Sequence, residues 1–476
     1  MANPFSLIIA GVDSGANLLD LPAPTATTTP YVELGSLSLT LSADGAPGAM
    51  NFTVIEPKTP SGTTPWWRSG GVYDNARVQF FDSRYSASTP LFLGYISNIQ
   101  GELLENGIGT RASVQVTGVT GWLQSTIIRN GTTGIRATSF VDSFTLGSST
   151  STDRDIINGL LARVHTQVND ATTRQLLNTA VISGSTRAIY TGSAQTIGKQ
   201  SFKATTLQSA LDQVAEEAGG IAEVQYRFWI DGDGRLNYGP KTVAATYATA
   251  PAEIVTDPAN IQTGSAASVT RLLARDLSVN LDHDTIVKGI FVMADSAYAR
   301  YDSNQTFPTA PTNDPYFRTY TGTYSRNGAG LASRNGPLPH EVFSAPKIVK
   351  KADRGVDIGL LARGTMTTRA QPRRTVSFSI AGGNLSQTSA PDWEYGYTQG
   401  YALTAAATYT LVKAWLPGQY VKITAPMLDL SSTILYIPTV TMRFAEGGGT
   451  YQVQYEIEAD FRRQYIKGLR GLIAGE

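Results

Sequence analysis

Ala76-Arg77-Val78-Gln79-Phe80-Phe81-Asp82, followed after a short break by Leu91-Phe92-Leu93-Gly94-Tyr95-Ile96, decides the fold class. Val78 and Phe80 alternate with Arg77 and Gln79. Successive side chains of an extended strand point to opposite faces, so this period of two marks a half-buried antiparallel strand. The same alternation surrounds it. Leu37, Leu39 and Leu41 are interleaved with Ser38 and Thr40, Phe52 and Val54 skip Thr53, and Val114 and Val116 flank Gln115. Asp44-Gly45-Ala46-Pro47-Gly48 is a turn cluster between two of these runs. The apolar run from Phe5 to Val12 is short and has no basic flank, so it reads as a first strand and not as a secretory leader. Residues 22–30 (PAPTATTTP) read as an extended linker, because Pro and Thr resist helix.

The pattern changes near residue 125. Asp153 is placed as the N-cap of a helix reaching about Thr166, with Ile156, Ile157, Leu160, Leu161 and Val164 on one face. Thr205 and Gln208 are placed as the capping box of a second helix carrying Leu207, Ala210, Leu211, Val214 and Ala218, which Gly219-Gly220 should stop. A hairpin follows, turning at Asp231-Gly232-Asp233-Gly234. Beyond about residue 263 the period of two returns at Leu277, Val279 and Leu281, at Val376, Phe378 and Ile380, and at Val453, Tyr455 and Ile457. Residues 301–340 have no period and are rich in Asn, Pro, Gly and Tyr, as an interaction loop would be. Residues 353–366 could form a short helix, and residues 460–476 are mixed basic and apolar, as a docking arm would be. The expected organisation is mainly β with an α+β insert: a β unit over 1–124, the insert over 125–262, a second β unit over 263–459, and a C-terminal arm over 460–476.

Composition narrows the function. The 476 residues include no cysteine, which removes thiol catalysis, disulfide scaffolds and cysteine-ligated metals. Charged residues make up 16%, where soluble domains carry about 25%. Lys+Arg and Asp+Glu are 38 each, so there is no basic excess of the kind a dedicated nucleic-acid binder uses. A net charge of zero lowers repulsion between copies and so permits assembly. No window approaches the roughly 20 apolar residues of a membrane helix, and folding in a cytoplasm is expected.

Four stretches together resemble the baseplate hub proteins of phage tails, the family shared by contractile-tailed phages, siphophages and gene-transfer agents. The opening stretch is similar to a strand, a short loop and an F-x-G-x-I strand of the family's first barrel. Ala112-Ser113-Val114-Gln115-Val116-Thr117-Gly118-Val119-Thr120-Gly121-Trp122-Leu123 resembles the strand that leaves that barrel for the insert. The helix over 207–218 and Phe228-Trp229-Ile230-Asp231-Gly232-Asp233-Gly234-Arg235-Leu236 resemble its helix, strand and D-G-x-L hairpin. Leu416-Pro417-Gly418-Gln419-Tyr420-Val421-Lys422-Ile423 resembles the P-G-x-x-V strand of the second barrel. The resemblance implies two β-barrel-like tube domains flanking the insert, and a homotrimer whose six quasi-equivalent barrels adapt a six-fold tail tube to a three-fold tip. It implies a virion protein at the tail tip, assembled in the host cytoplasm. The partners it implies are a distal tail or tube protein, a central spike or fibre and the tape measure. DNA would pass without sequence-specific binding. No enzyme activity, cofactor, catalytic residue, metal site or membrane insertion is expected.

Several residues carry a possible chemistry beside a plainer role. Asp231 and Asp233 could begin a calcium loop, but the Glu such a loop needs is missing, and a tight hairpin turn accounts for the motif. Glu216 with Glu217, and Glu102 with Glu105, could be imagined as glycosidase pairs, but are expected to be solvated surface carboxylates. His165, His283 and His340 have no metal spacing, and no GxSxG elbow or phosphate loop is present. Gly447-Gly448-Gly449 reads as a hairpin tip. Arg369, Arg373, Arg374, Arg462 and Arg463 are expected to be solvated or to bridge subunits. Trp66 and Trp67 are expected to pack in the core, with packing at an interface as the other reading; exposed, and with Trp393, they would be the aromatic platform of the alternative function, a virion carbohydrate- or receptor-binding β-protein; a cell-wall hydrolase is the third class.

Overall fold

The computed structural model describes residues 5–9, 31–43, 45–57, 76–82, 89–104, 109–128, 143–168, 188–203, 205–222, 226–232, 234–240, 253–256, 271–273, 275–282, 289–293, 298–302, 340–344, 373–384, 416–447 and 450–460. It is mainly β with a small α+β insert. The first β region contains β1 (Phe5–Ile9), β2 (Tyr31–Ser42), β3 (Ala49–Pro57), β4 (Arg77–Asp82), β5 (Phe92–Leu103) and β6 (Gly109–Gly118), paired antiparallel in the order β1-β4-β5-β6-β3-β2. The alternation read from the sequence is the alternation of burial. Leu37, Leu39, Leu41, Phe52, Val54, Val78, Phe80, Val114 and Val116 are all buried. Strand β2 carries an irregularity between Glu33 and Ser38. Ser36 holds it, its hydroxyl donating to the Glu33 carbonyl at 2.6 Å and accepting from the Thr53 amide at 2.7 Å.

The insert follows as α1 (Thr120–Ser125), β7 (Ser143–Leu146), α2 (Asp153–Val168), β8 (Ala188–Tyr190), β9 (Gln200–Lys203), α3 (Leu207–Ala222), β10 (Tyr226–Ile230) and β11 (Leu236–Pro240). Two small sheets, β10-β11-β8 and β7-β9, accompany the helices. Every apolar residue assigned to the two helix faces is buried, in a core separate from that of the β regions.

Three local expectations need correction. Thr152, not Asp153, caps α2. Its hydroxyl accepts from the Asp155 amide at 3.3 Å, while its own amide donates to the Asp155 carboxylate at 2.9 Å. Thr206, not Thr205, caps α3, accepting from the Ser209 amide at 3.2 Å. This frees Gln208 to donate to the Gly45 carbonyl, 3.3 Å away in the first β region. Finally, α3 runs through Gly219-Gly220 to Ala222, because neither glycine takes the positive φ that would end it.

The remaining strands are β12 (Glu253–Val255), β13 (Arg271–Leu273), β14 (Arg275–Asp282), β15 (Gly289–Met293), β16 (Tyr298–Asp302), β17 (His340–Ser344), β18 (Arg373–Asn384), β19 (Tyr420–Ala425), β20 (Leu430–Gly447) and β21 (Thr450–Asp460). Except for β15, β16 and β17, which form their own sheet, they belong to the same large sheet as β1 to β6. The junction is β20. Its first half pairs with β19 and its second half with β2, through Ser38↔Arg443 to Ser42↔Thr439, while β21 lies along its other side. One continuous apolar core runs from Phe5, Leu39 and Phe80 to Val376, Ile423, Phe444 and Ile457. The Phe444 ring meets Phe5 edge-on at 5.0 Å and Phe80 at 6.0 Å, so the strand order curls until its first two strands pack on β20.

Gly94 is the tightest point of the F-x-G-x-I strand. A Cβ there would lie 2.6 Å from the Thr117 carbonyl oxygen and 2.8 Å from the Phe92 ring. Gly35, in the irregular part of β2, has nothing within 4 Å of a Cβ. Gly94→Ala is expected to lower stability by about 1–3 kcal/mol through overpacking. Gly35→Ala should be neutral or slightly stabilising. Urea titrations of the two variants would check the contrast.

Candidate functional site

Two carboxylates, Asp231 and Asp153, serve the fold. Asp231 has its carboxylate turned onto its own hairpin, accepting from the Arg235 amide at 2.8 Å and the Asn237 side chain at 3.0 Å. The Gly234 amide donates to the Asp231 carbonyl at 2.9 Å, so the motif is a turn, as its Asp-Gly composition suggested. Asp233 lies outside the described residues. Among the described residues, no group of three His, Asp or Glu side chains could hold a metal ion.

Asp153 is 1% exposed and accepts from the Arg154 amide at 2.9 Å, the Gln195 amide at 3.0 Å and the Tyr238 hydroxyl at 3.1 Å. Around it stand Tyr190, Tyr226 and Tyr238, with ring centroids 5.4 Å apart for Tyr226 and Tyr238 and 6.2 Å for Tyr190 and Tyr238. Burial raises all three phenols above their ordinary range, and the Asp153 charge adds to the effect. They are therefore donors and not acids at neutral pH. Asp153 thus ties the first turn of α2 to β11 and to the segment before β9. Sequence reading missed this role, since an Asp at a helix start is ordinarily a cap.

Glu216 departs from the solvated role expected of it. It is only partly exposed, and burial, with the Asp212 charge one turn earlier, raises its pKa to about 8. Glu217 is also partly buried. Glu102 does lie at an exposed position, 3.9 Å from Arg111, which in turn bonds Glu33 at 3.0 Å. Glu105 is outside the described residues, as are Trp66, Trp67, Trp393, His283, Arg369, Arg462, Arg463 and residues 353–366. Of the remaining histidines, His165 lies on α2 and His340 begins β17. Arg373 and Arg374 open β18, opposite Asp282 and Leu281. Gly447 pairs with Thr450 across the hairpin tip expected there.

The loop expected at 301–340 begins and ends in strands. Gly289 of β15 has Asp302 on one side and His340 on the other, so residues 303–339 leave and re-enter at the same end of one sheet. Strand spacing puts those two points about 10 Å apart.

What the structure does bring together is the junction of the insert with both β regions. The tip of the β10–β11 hairpin sits against the first region, where a Cβ on Gly232 would fall on the Pro90 carbonyl oxygen. Phe228 packs on Gly45, and Ile230 joins Leu93, Val119 and Trp122 in a small apolar cluster. The outer face of β10 meets the second region. The Arg227 guanidinium lies 4.9 Å from the Trp229 ring and 4.8 Å from that of Tyr436, which stands 5.5 Å from Tyr420. Gly418, at φ +92°, lies beside the Arg227 and Trp229 side chains. Period two in β10 could have placed Arg227 and Trp229 on one face. Nothing local could have named Tyr436 as their partner.

No protein-family model and no curated protein sequence matches the chain. Among solved structures, it is similar to the 43 kDa tail protein of prophage MuSo2 from Shewanella oneidensis, with 10% identity, a TM-score of 0.52, and 96% of this chain and 98% of that one covered. It is similar to a tail protein from Neisseria meningitidis MC58, with 12% identity, a TM-score of 0.50 and 96% of each chain covered. A component of the E. coli type VI secretion system aligns with 95% of this chain and 76% of its own, at 9% identity and a TM-score of 0.41. At these identities what is shared is the fold: the chain has the fold of the two tail proteins over nearly its whole length.

Two predictions follow from the geometry. In a double-mutant cycle, Arg227→Met and Tyr436→Leu should couple by about 0.5–2 kcal/mol, the range of a partly desolvated cation–π contact. Coupling indistinguishable from zero in chemical denaturation would dismiss the stack. The folded state binds the Glu216 proton more tightly than the unfolded chain, whose carboxyl has the ordinary value of 4.5. Its contribution is therefore intact below about pH 4.5 and is lost as pH rises toward 8. Glu216→Gln should flatten that decline and gain on the order of 1–3 kcal/mol at pH 8.5 relative to the parent. Denaturation curves at pH 5 and 8.5 would test it.

Proposed function

We propose that this chain is a structural hub of a bacteriophage tail tip. Three copies form a ring in which the two β regions of each chain occupy six quasi-equivalent positions around a channel. The ring adapts a six-fold tube to a three-fold tip, and DNA and the tape measure pass through it without specific binding. The observation that carries the reading is the end-to-end likeness to two tail proteins, one of them from a prophage, each matched over at least 96% of its length.

Three features are consistent with it. The two β regions form one sheet and one core, as adjacent units of a ring wall would. The chain is electrically neutral, which suits a lumen that must release phosphates. Asp153, Asp231 and the Tyr190, Tyr226 and Tyr238 hydroxyls are committed to internal hydrogen bonds, which favours a structural role for them. The domain limits at 1–124, 125–262, 263–459 and 460–476 remain part of the proposal, as do the tail-protein partners and the virion location. The C-terminal arm is assigned to contact with a neighbouring copy.

Light scattering of the purified chain, with and without a cognate tube protein, should give a mass of three copies. Class averages should show a three-fold ring with an open centre. A particle that stays monomeric under both conditions and binds glycans tightly would replace this function with the receptor-binding one.

A further inference from the structure

The outer edge of β2 is a strand-receiving site, and the residues that fill it come from the far end of the chain. Residues 38–40 pair with β3 on one side, and residues 38–42 pair with residues 439–443 on the other. The ladder continues at Ala43, whose amide donates to the Pro438 carbonyl at 3.0 Å. The Thr40 and Thr441 hydroxyls meet at 3.2 Å across 401 residues of sequence. On the inner face Val440, Met442 and Phe444 are all buried beside Leu39 and Leu41, and Phe444 reaches Phe5 and Phe80. Without this strand, β2 would present a row of unpaired amides and carbonyls above an uncovered apolar face. Such an edge recruits another strand.

We propose that residues 438–444 act as an internal donor strand. The first β region lacks its last strand until residues 438–444 have been made, and the edge of β2 binds an extended segment of pattern Thr-Val-Thr-Met-Arg-Phe, supplied in cis and acceptable from a second copy. Backbone hydrogen bonds give the affinity, and the apolar residues at every second position set the register. The ring reading is not needed for this, since the site exists within one chain.

Native-state hydrogen exchange on the full chain tests the first half. Peptides covering residues 38–42, 77–82 and 439–444 should open together with one denaturant dependence, while the insert opens on its own. Protection of β2 and β4 that survives after β20 has exchanged would overturn the proposal. The second half uses a full-length Val440→Asp, Met442→Asp chain, whose own strand cannot seat. A labelled synthetic peptide of residues 437–446 should bind it at least about tenfold more tightly than it binds the parent, whose site is filled. Equal binding to both, or no binding to a variant whose insert keeps its native protection, would also overturn it.

Discussion

Strand β20 meets two different regions of the molecule along one uninterrupted backbone. Residues 430–436 are bonded to β19, and residues 439–443 to β2, with β21 on the opposite side. A strand of eighteen residues is long for a globular protein, where five or six is usual. Its length is what allows the first β region, made early, to share a sheet and a core with strands made last. The Phe5, Phe80 and Phe444 rings close that arrangement, because they bring the first strands of the order onto its seventh. Phe444 therefore helps to set the curvature of a sheet that both β regions share.

The insert reaches the first region by close approach. Its hairpin tip fits only because Gly232 has no side chain to collide with Pro90. That contact is intolerant, since a single methyl group would remove it. Its outer face lays Arg227 and Trp229 beside Gly418, where the positive φ of +92° and not the space calls for glycine. The buried Asp153 acts within the insert. Three donors fix its carboxylate, so α2 cannot shift against the sheet without stranding a buried charge.

Much of this was legible from residue patterns, and the reason is local. Leu37, Leu39 and Leu41 or Val78 and Phe80 announce a strand because the pleat itself has period two, and Ile156 through Val164 announce a helix face because the helix has its own period. Caps were misplaced by one residue because Thr205 and Thr206, or Thr152 and Asp153, are neighbours with equivalent chemistry. Only the surrounding backbone decides which of them turns its oxygen inward. The junction was not legible at all. Arg227 finds Tyr436, and Thr40 finds Thr441, across hundreds of residues, and no spacing rule connects them. Glu216 was misread for a related reason: on a helical wheel it opposes the buried arc of α3, and its partial burial arises from tertiary surroundings that the wheel does not contain.

A flexible linker between two β regions would leave their relative orientation to thermal motion, the default for domains joined by small interfaces. Here the connection is the sheet itself. Rotating one region against the other would break the β2–β20 ladder and open the Phe5–Phe444 contact together, so the two regions behave as one stiff body. Stiffness is what a ring wall requires, since closure of a symmetric assembly depends on each subunit holding a fixed angle between the surfaces it offers its neighbours. The cysteine-free chain has no disulfide to enforce that angle. The continuous sheet, with the close approach of Gly232 to Pro90, supplies that constraint.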